Sequence, residues 1–538
     1  MIFSISAWRV LLPCALVLML AGLSATRASS PLAQASELDA VRTKVRAALQ
    51  RRDPIAAEVP LREAISKGAD EDALRALLGE ALLARGERSE ALKVLEAGDF
   101  TPDTAALGWR MRGQARLGRG DLKGAAQAFD QAYRFAPDDA ELWVAIATLR
   151  FSGGEQAQAF EAADRAVRLD PRNPRALNMR GLLVRDQFGL AAALPWFEAG
   201  LKVAPEDPTL LGEYAATLGE MGAYRAMLVV CRKLVTIDPK NARAASLQAI
   251  LAARAGKSEL ARAILGRTGT ALRDVPAMIL LSGVLEYRAG NTNLAGDQFE
   301  RLVRLQPDNL QARQLLARVL LRQGQAQQVV ERFDVAARAP GASPYLMQVV
   351  GQAWRMLGDE AQADALFALV RSPESRAASP LTSDVPLGVA ALRYAEAPNA
   401  AAAAVPYIRA LIGAGRGDEA QAAADRLKAA NPGFADAHLL AGDLRILRAD
   451  PAGALRDYEK ASTIHLSEPV FTRMDAALRA LGKPLEADAM TGRYLKQNPQ
   501  SLAAMKRLDA SWRKAGRVDA AASMALALAA RGQPASLR

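Results

Sequence analysis

Two histidines, one cysteine in the body of the chain and a few glycine-spaced turns are the residues with which this sequence could do chemistry. His438 and His465 are the only imidazoles among 538 residues. Neither belongs to an H-E-x-x-H run or lies beside a cysteine pair, the spacings that gather zinc ligands on one face. Cys231 shares the chain only with Cys14, which lies in an N-terminal apolar run, so no disulfide or thiolate framework is available to it. Its own surroundings suit a small packing hydrophobe. Gly413, Gly415 and Gly417 space a turn, but the lysine and Ser/Thr of a phosphate loop do not follow them. Arg-Gly-Asp occurs at 119–121 and 416–418, in both cases where a turn between helices is expected. The one enzymatic alternative places His438, Asp443 and His465 in a site, which requires residues 401–538 to be a divergent, strand-containing domain. The favoured expectation is a protein that is not an enzyme and needs neither metal nor cofactor.

Charge offers more than catalysis does. Lys and Arg number 69 against 58 Asp and Glu, a net charge of +11 with a pI near 9.7, and the basic residues are spread along the chain rather than gathered in a tail. Such a balance attracts acidic protein segments, anionic polysaccharide or anionic surfaces, and in principle nucleic acid. Arg9 precedes an apolar run at 10–23, followed by small residues and by Ala-Gln-Ala at 33–35. Residues 1–35 therefore read as a secretory signal peptide, cleavable after Ala25, Ala28 or Ala35. The run is shorter than the roughly 18 residues of a spanning helix, unless residues 2–7 lengthen it into an uncleaved inner-membrane anchor. In the first case the protein is periplasmic or exported; only in the second does it touch a membrane. Export argues against nucleic acid.

The elements that must carry these residues repeat. With Gly113 as position 8 of a 34-residue period, position 8 reads Val45, Gly79, Gly113, Ala147, Gly181, Ala215, Ala249, Gly283, Ala317 and Gly351. Position 20 is nearly always alanine, as at Ala91, Ala125, Ala261 and Ala295, and position 24 is usually bulky, as at Leu95, Phe129, Phe197, Phe299 and Phe367. Position 15 is glycine from Gly86 to Gly358, with Arg52 and Phe188 as exceptions, and position 32 is Pro137, Pro171, Pro205, Pro239 and Pro307. Each unit thus predicts a helix, a glycine-closed turn, a second helix and a proline stop. Ten such units cover 38–377, residues 378–400 form a proline-rich linker with a short helix near 388–395, and four further, more degenerate units cover 401–535. The linker either hinges two blocks or is a loop inserted in one.

The pattern of Trp109, Gly113, Ala125, Phe129 and Pro137 resembles the tetratricopeptide repeat family. Arg112 and Arg116 stand where that family often has Leu and Tyr. The resemblance implies an all-α fold, an α-solenoid superhelix of stacked helix-turn-helix repeats, each of which buries its apolar face only against its neighbours. It also implies that first-helix positions 2, 5, 9, 12 and 13 line a concave groove. Here that row supplies Arg110, Arg175, Asn178, Arg185, Arg243, Arg254, Tyr287, Arg288, Gln314, Arg318, Arg322, Tyr345, Gln348 and Arg355, a set suited to charged and stacked contacts with an extended partner. The expected function is a non-enzymatic scaffold for protein-protein interaction in a bacterial cell-envelope assembly of the polysaccharide-export, pilus or outer-membrane type, with an acidic protein or peptide partner. The alternative is a solenoid that binds an anionic polymer or surface.

Overall fold

The structure is a computed structural model describing residues 31–532 apart from 270, 308, 340–341 and 372–384. The described residues form 29 α-helices and no strand, an all-α solenoid. The signal-or-anchor segment lies outside them except for its last five positions, which open the first helix. No helix of the described residues is long and apolar enough to cross a membrane.

The chain divides into two compact units, 1–119 and 120–538. The first holds α1 (Pro31–Gln50), α2 (Pro54–Ser66), α3 (Glu71–Arg85), α4 (Arg88–Glu96) and α5 (Ala105–Leu117). Its core joins Val45 and Leu61 to Leu74, Leu82, Leu95 and Met111. The second unit begins with α6 (Leu122–Phe135) and continues in pairs: α7 (Ala140–Ser152) with α8 (Gln156–Leu169), α9 (Pro174–Phe188) with α10 (Leu190–Val203), α11 (Pro208–Glu220) with α12 (Tyr224–Ile237), and α13 (Ala242–Arg254) with α14 (Ser258–Arg267). There follow α15 (Pro276–Arg288) with α16 (Thr292–Leu305), α17 (Leu310–Arg322) with α18 (Ala326–Arg338), and α19 (Pro344–Met356) with α20 (Glu360–Arg371).

Beyond the undescribed stretch come α21 (Leu387–Glu396), α22 (Ala401–Gly413), α23 (Gly417–Ala430), α24 (Ala435–Leu447), α25 (Pro451–Ile464), α26 (Glu468–Ala480), α27 (Pro484–Gln497), α28 (Leu502–Lys514) and α29 (Val518–Gly532). The strand-bearing domain required by an enzymatic reading of 401–538 is therefore not what residues 401–532 form. Helix α21 stands where a short helix was expected within the linker.

Local chemistry explains the punctuation. First helices start behind side-chain caps: Asp139, Asn173, Asp207 and Asn241 each accept from a backbone N–H of the first turn, which satisfies donors that have no partner inside the helix. The position-15 turn needs a left-handed residue, and Gly324 adopts φ 76°, a region open to glycine at no steric cost. Of the two non-glycines at that position Arg52 takes the same region at φ 59°, whereas Phe188 ends α9 and Gly189 after it turns at φ 104°; Ala449 is also left-handed at φ 57°. Second helices end because the residue before each proline is pushed out of helical geometry: Ala136, Asp170, Ala204, Asp238 and Gln306 all have φ between −127° and −145° and ψ between 75° and 92°.

Packing within a repeat couples position 8 to position 24. A Cβ placed on Gly283 would fall 2.5 Å from the Phe299 ring, and one on Gly351 2.7 Å from that of Phe367. The absent side chain is what lets the ring lie against the first helix.

The second unit also folds back on itself. Gln497 accepts from the Ala192 N–H at 2.9 Å, and the Gln500 amide donates to the Met221 carbonyl at 3.2 Å. Gln187 donates to the Thr463 carbonyl, His465 Nε2 lies 3.4 Å from Asp186 Oδ1, and Phe434 covers Gly154. Turns of α7 to α12 thus meet turns of α24 to α28, advancing by about one repeat at each contact. This seam ties helices that precede residues 378–400 to helices that follow them.

Candidate functional site

The enzymatic alternative can be judged residue by residue. His438 is buried on α24, with Nε2 3.1 Å from the Pro432 carbonyl, and burial pushes its pKa below the ordinary imidazole value. His465 caps α25 and faces Asp186. Asp443 is occupied by the Tyr458 hydroxyl at 2.8 Å and by Arg473 Nε at 2.6 Å. The three are held by different partners and do not converge. Cys231 is fully buried in the core around Ala215, Met227 and Leu247, and burial raises its thiol to about 11, so a thiolate is strongly disfavoured. Among the described residues no three His, Cys, Asp or Glu are grouped to hold a metal ion.

The first-helix row divides into a neutralised part and a part without carboxylates. Arg110 is half-buried in the first unit. In the second unit Arg175 Nη1 pairs with Glu141 at 3.0 Å. Glu213 on α11 stands between two arginines of the row, 3.2 Å from Arg185 and 2.8 Å from Arg243. Arg355 is taken by Glu360 at 3.0 Å. Asn178 is half-buried between these pairs, its Oδ1 without a hydrogen-bond partner. Glu213 was legible in the sequence as an acidic residue at position 6 of its unit, one turn from the row, but a single-helix reading does not show that it reaches both neighbouring helices.

The second part is organised by tyrosines. Arg318 on α17 donates from Nε to the Tyr287 hydroxyl at 2.8 Å and from Nη1 to the Tyr345 hydroxyl at 2.9 Å, so one guanidinium is fixed between α15 and α19. The Arg322 guanidinium lies 5.0 Å from the Tyr287 ring centroid, within cation–π range. Burial alone would raise the Tyr287 phenol, but hydrogen bonds from Arg322 and Arg318 outweigh it and hold the group below its ordinary value. Arg254 Nη1 donates to the Tyr224 hydroxyl at 2.8 Å. Arg288 and Gln348 are exposed and Gln314 is half-buried in the same row. Apart from Arg243 and Arg355, already paired with Glu213 and Glu360, the four first helices α13, α15, α17 and α19 carry five arginines and one glutamate, Glu286, which is itself turned to Arg262 and Asn291. The arrangement presents preorganised guanidinium groups that no acidic side chain of their own row quenches.

A model of the tetratricopeptide repeat family matches residues 102–140, 110–174, 144–209 and 280–344. No curated protein matches by sequence. Among solved structures the chain is similar to the APC/C hetero-tetramer Cut9-Hcn1, at 13% identity over 89% of this chain and 97% of that one with a TM-score of 0.32. It is similar to pilF of Pseudomonas aeruginosa at 20% identity over 40% of this chain and 99% of that one, TM-score 0.35. A tetratricopeptide repeat protein from Parabacteroides merdae shows 16% identity over 53% of this chain and 99% of that one, TM-score 0.34. The matched stretches, residues 102–209 and 280–344, are tetratricopeptide repeats, and helix pairs in the same 34-residue register, with their glycine turns and proline stops, carry that pattern beyond them.

Proposed function

We propose that the chain is a non-enzymatic scaffold of the cell envelope that binds an acidic segment of a partner protein along the first helices α13 to α19. Tetratricopeptide repeats are protein-interaction scaffolds, and the observation that carries the finer reading is Arg318 fixed by two tyrosine hydroxyls in a row almost free of carboxylates. A guanidinium already held in place loses little freedom on binding, so a partner carboxylate gains most of a charge-assisted hydrogen bond, about 1.5–3 kcal/mol. Arg322, Arg288 and Arg254 extend the positive row to either side. Placement in the envelope is supported by Arg9 and the apolar run at 10–23.

The test uses the full chain and a labelled oligoglutamate peptide in fluorescence anisotropy, alongside recovery of partners from envelope extracts. Changing Arg318 and Arg322 to Glu is expected to weaken the peptide at least tenfold and to lose the recovered partner, whereas changing Arg175 to Glu, already paired, has little effect. Equal recovery by both variants rejects the row as the binding surface. Stronger binding of an anionic polysaccharide than of the peptide would assign the same arginines to a polymer instead.

A further inference from the structure

A cleft of about 590 Å³ opens between α12 and α14 with α13 as its floor, a volume within the roughly 300–1,000 Å³ of small-molecule sites. Its floor residues Gln248, Leu251, Ala252 and Ala255 follow i, i+3, i+4, i+7 spacing and so share one face of α13. Arg243 and Ile250 lie on another face of that helix, the one that belongs to the arginine row. The walls are Leu228 from α12 and Leu260 with Ile264 from α14. Leu228 is 38% and Leu260 44% exposed, large apolar groups left open to water above an apolar floor.

The polar residues at this cleft are one-sided. Arg225, Arg254, Lys257 and Arg267 line it, and no Asp or Glu does. None of the four pairs with a carboxylate among the described residues. Three of them cluster at the end where the helices turn: Arg254 bonds Tyr224, the neighbour of Arg225, and Lys257 follows Arg254 directly after the turn. Beyond this cationic end the lining along α14 is aliphatic at Leu260 and Ile264, and Arg267 closes its far end. Gln248 is the one polar side chain on the floor, so a peptide backbone laid there would bury amide groups without partners. An acyl chain has none to satisfy.

We propose that this cleft binds a medium-chain fatty carboxylate, its head held by Arg225, Arg254, Lys257 and Tyr224 and its tail lying over Leu251 between Leu228, Leu260 and Ile264. The site is separate from the partner-binding row, with only Arg254 at the boundary of both.

Isothermal titration of the full chain with dodecanoate below its micelle concentration tests it. One dodecanoate per chain is expected, with decanoate about fifteenfold weaker at roughly fourfold per methylene and dodecyltrimethylammonium not bound. Leu260→Asp, at an exposed position, is expected to abolish the heat, and Arg225→Glu with Lys257→Glu to weaken binding tenfold or more. Arg318→Glu leaves dodecanoate binding unchanged, which separates this site from the partner row. Absence of saturable binding, equal binding of the cationic amphiphile, or binding unaffected by Leu260→Asp would overturn the proposal.

Discussion

Gln500 donates its side-chain amide to the Met221 carbonyl at 3.2 Å, joining two turns that stand 279 residues apart. Together with Gln497 on the Ala192 N–H and Gln187 on the Thr463 carbonyl, it makes the second unit a closed arrangement rather than a chain of neighbours. Each bond is worth about 0.5–1.5 kcal/mol. The triple substitution Gln187→Ala, Gln497→Ala, Gln500→Ala is therefore expected to open the seam without melting helices. Small-angle scattering should show a larger radius of gyration at unchanged far-UV circular dichroism; an unchanged radius would mean the seam rests on its other contacts, Phe434 over Gly154 and His465 beside Asp186.

Among the described residues Asp475 is the one carboxylate with no exposed surface. It accepts from Arg479 Nε and Nη2 at 3.0 Å each, from Thr491 at 3.1 Å and from Arg507 at 2.8 Å, linking α26, α27 and α28. Removing the carboxylate loses hydrogen bonds to a charged group, about 1.5–3 kcal/mol, while Arg479 and Arg507 keep about a third of their side chains in water and Arg479 keeps Asp488. In a stack where each repeat leans on its neighbours the loss is local. Asp475→Ala should thus lower hydrogen-exchange protection in α26 to α28 while α7 to α9 keep theirs. Loss of protection throughout the unit would show that the seam transmits it.

The fold was legible because every repeat states the same few rules. Position 15 demanded a left-handed residue, met by glycine in most units and by Arg52, which bends to the rule against its own side chain, while the unit with Phe188 there shifts the left-handed turn one residue on, to Gly189. What the sequence hid is whatever joins residues that the period does not relate. Gln187, Gln497 and Gln500 are ordinary polar residues until the array turns back to bring them together. The arginine row was visible as a row, yet its neutral half depends on Glu141 and Glu213 reaching across from adjacent helices. The cleft beside α13 was invisible for another reason: α14 ends at Arg267 after 10 residues, against 14 in its neighbours α12 and α16, and a void between helices leaves no mark on spacing.

The coupling of positions 8 and 24 makes a sharp test of packing. Gly351→Ala places a methyl 2.7 Å from the Phe367 ring, and overpacking of this kind costs about 1–3 kcal/mol. The repeat that carries Ala215 at position 8 has the small Cys231 at position 24, both in one core cluster. Phe367→Leu should accordingly recover part of the loss, so that the double variant is less destabilised than the two single effects predict. Strictly additive chemical-denaturation midpoints would show that the two positions are not in contact.

Acid should weaken the protein in two separable steps. Burial lowers the His438 pKa below the free imidazole value, with Lys428 and Lys460 adding to the effect and the Pro432 carbonyl and Asp457 opposing it. Below about pH 6.5 the unfolded chain therefore binds a proton that the folded one refuses, and stability falls as pH drops through that window, by up to about 1.4 kcal/mol per pH unit. Burial raises Glu58 and Asp334, but their partners, Arg62 and Arg85 for Glu58 and Arg338 with the Trp354 indole for Asp334, outweigh it, and both end below the ordinary carboxylate range. Their stabilisation is complete above about pH 4 and is lost only as pH falls further. Since the chain has just two histidines, a His465→Gln background isolates the first step. In that background the thermal midpoint should decline between about pH 6.5 and 5, and adding His438→Leu should flatten this decline while leaving the drop below about pH 4 intact. A decline of the same slope with and without His438 would assign the first step to another group.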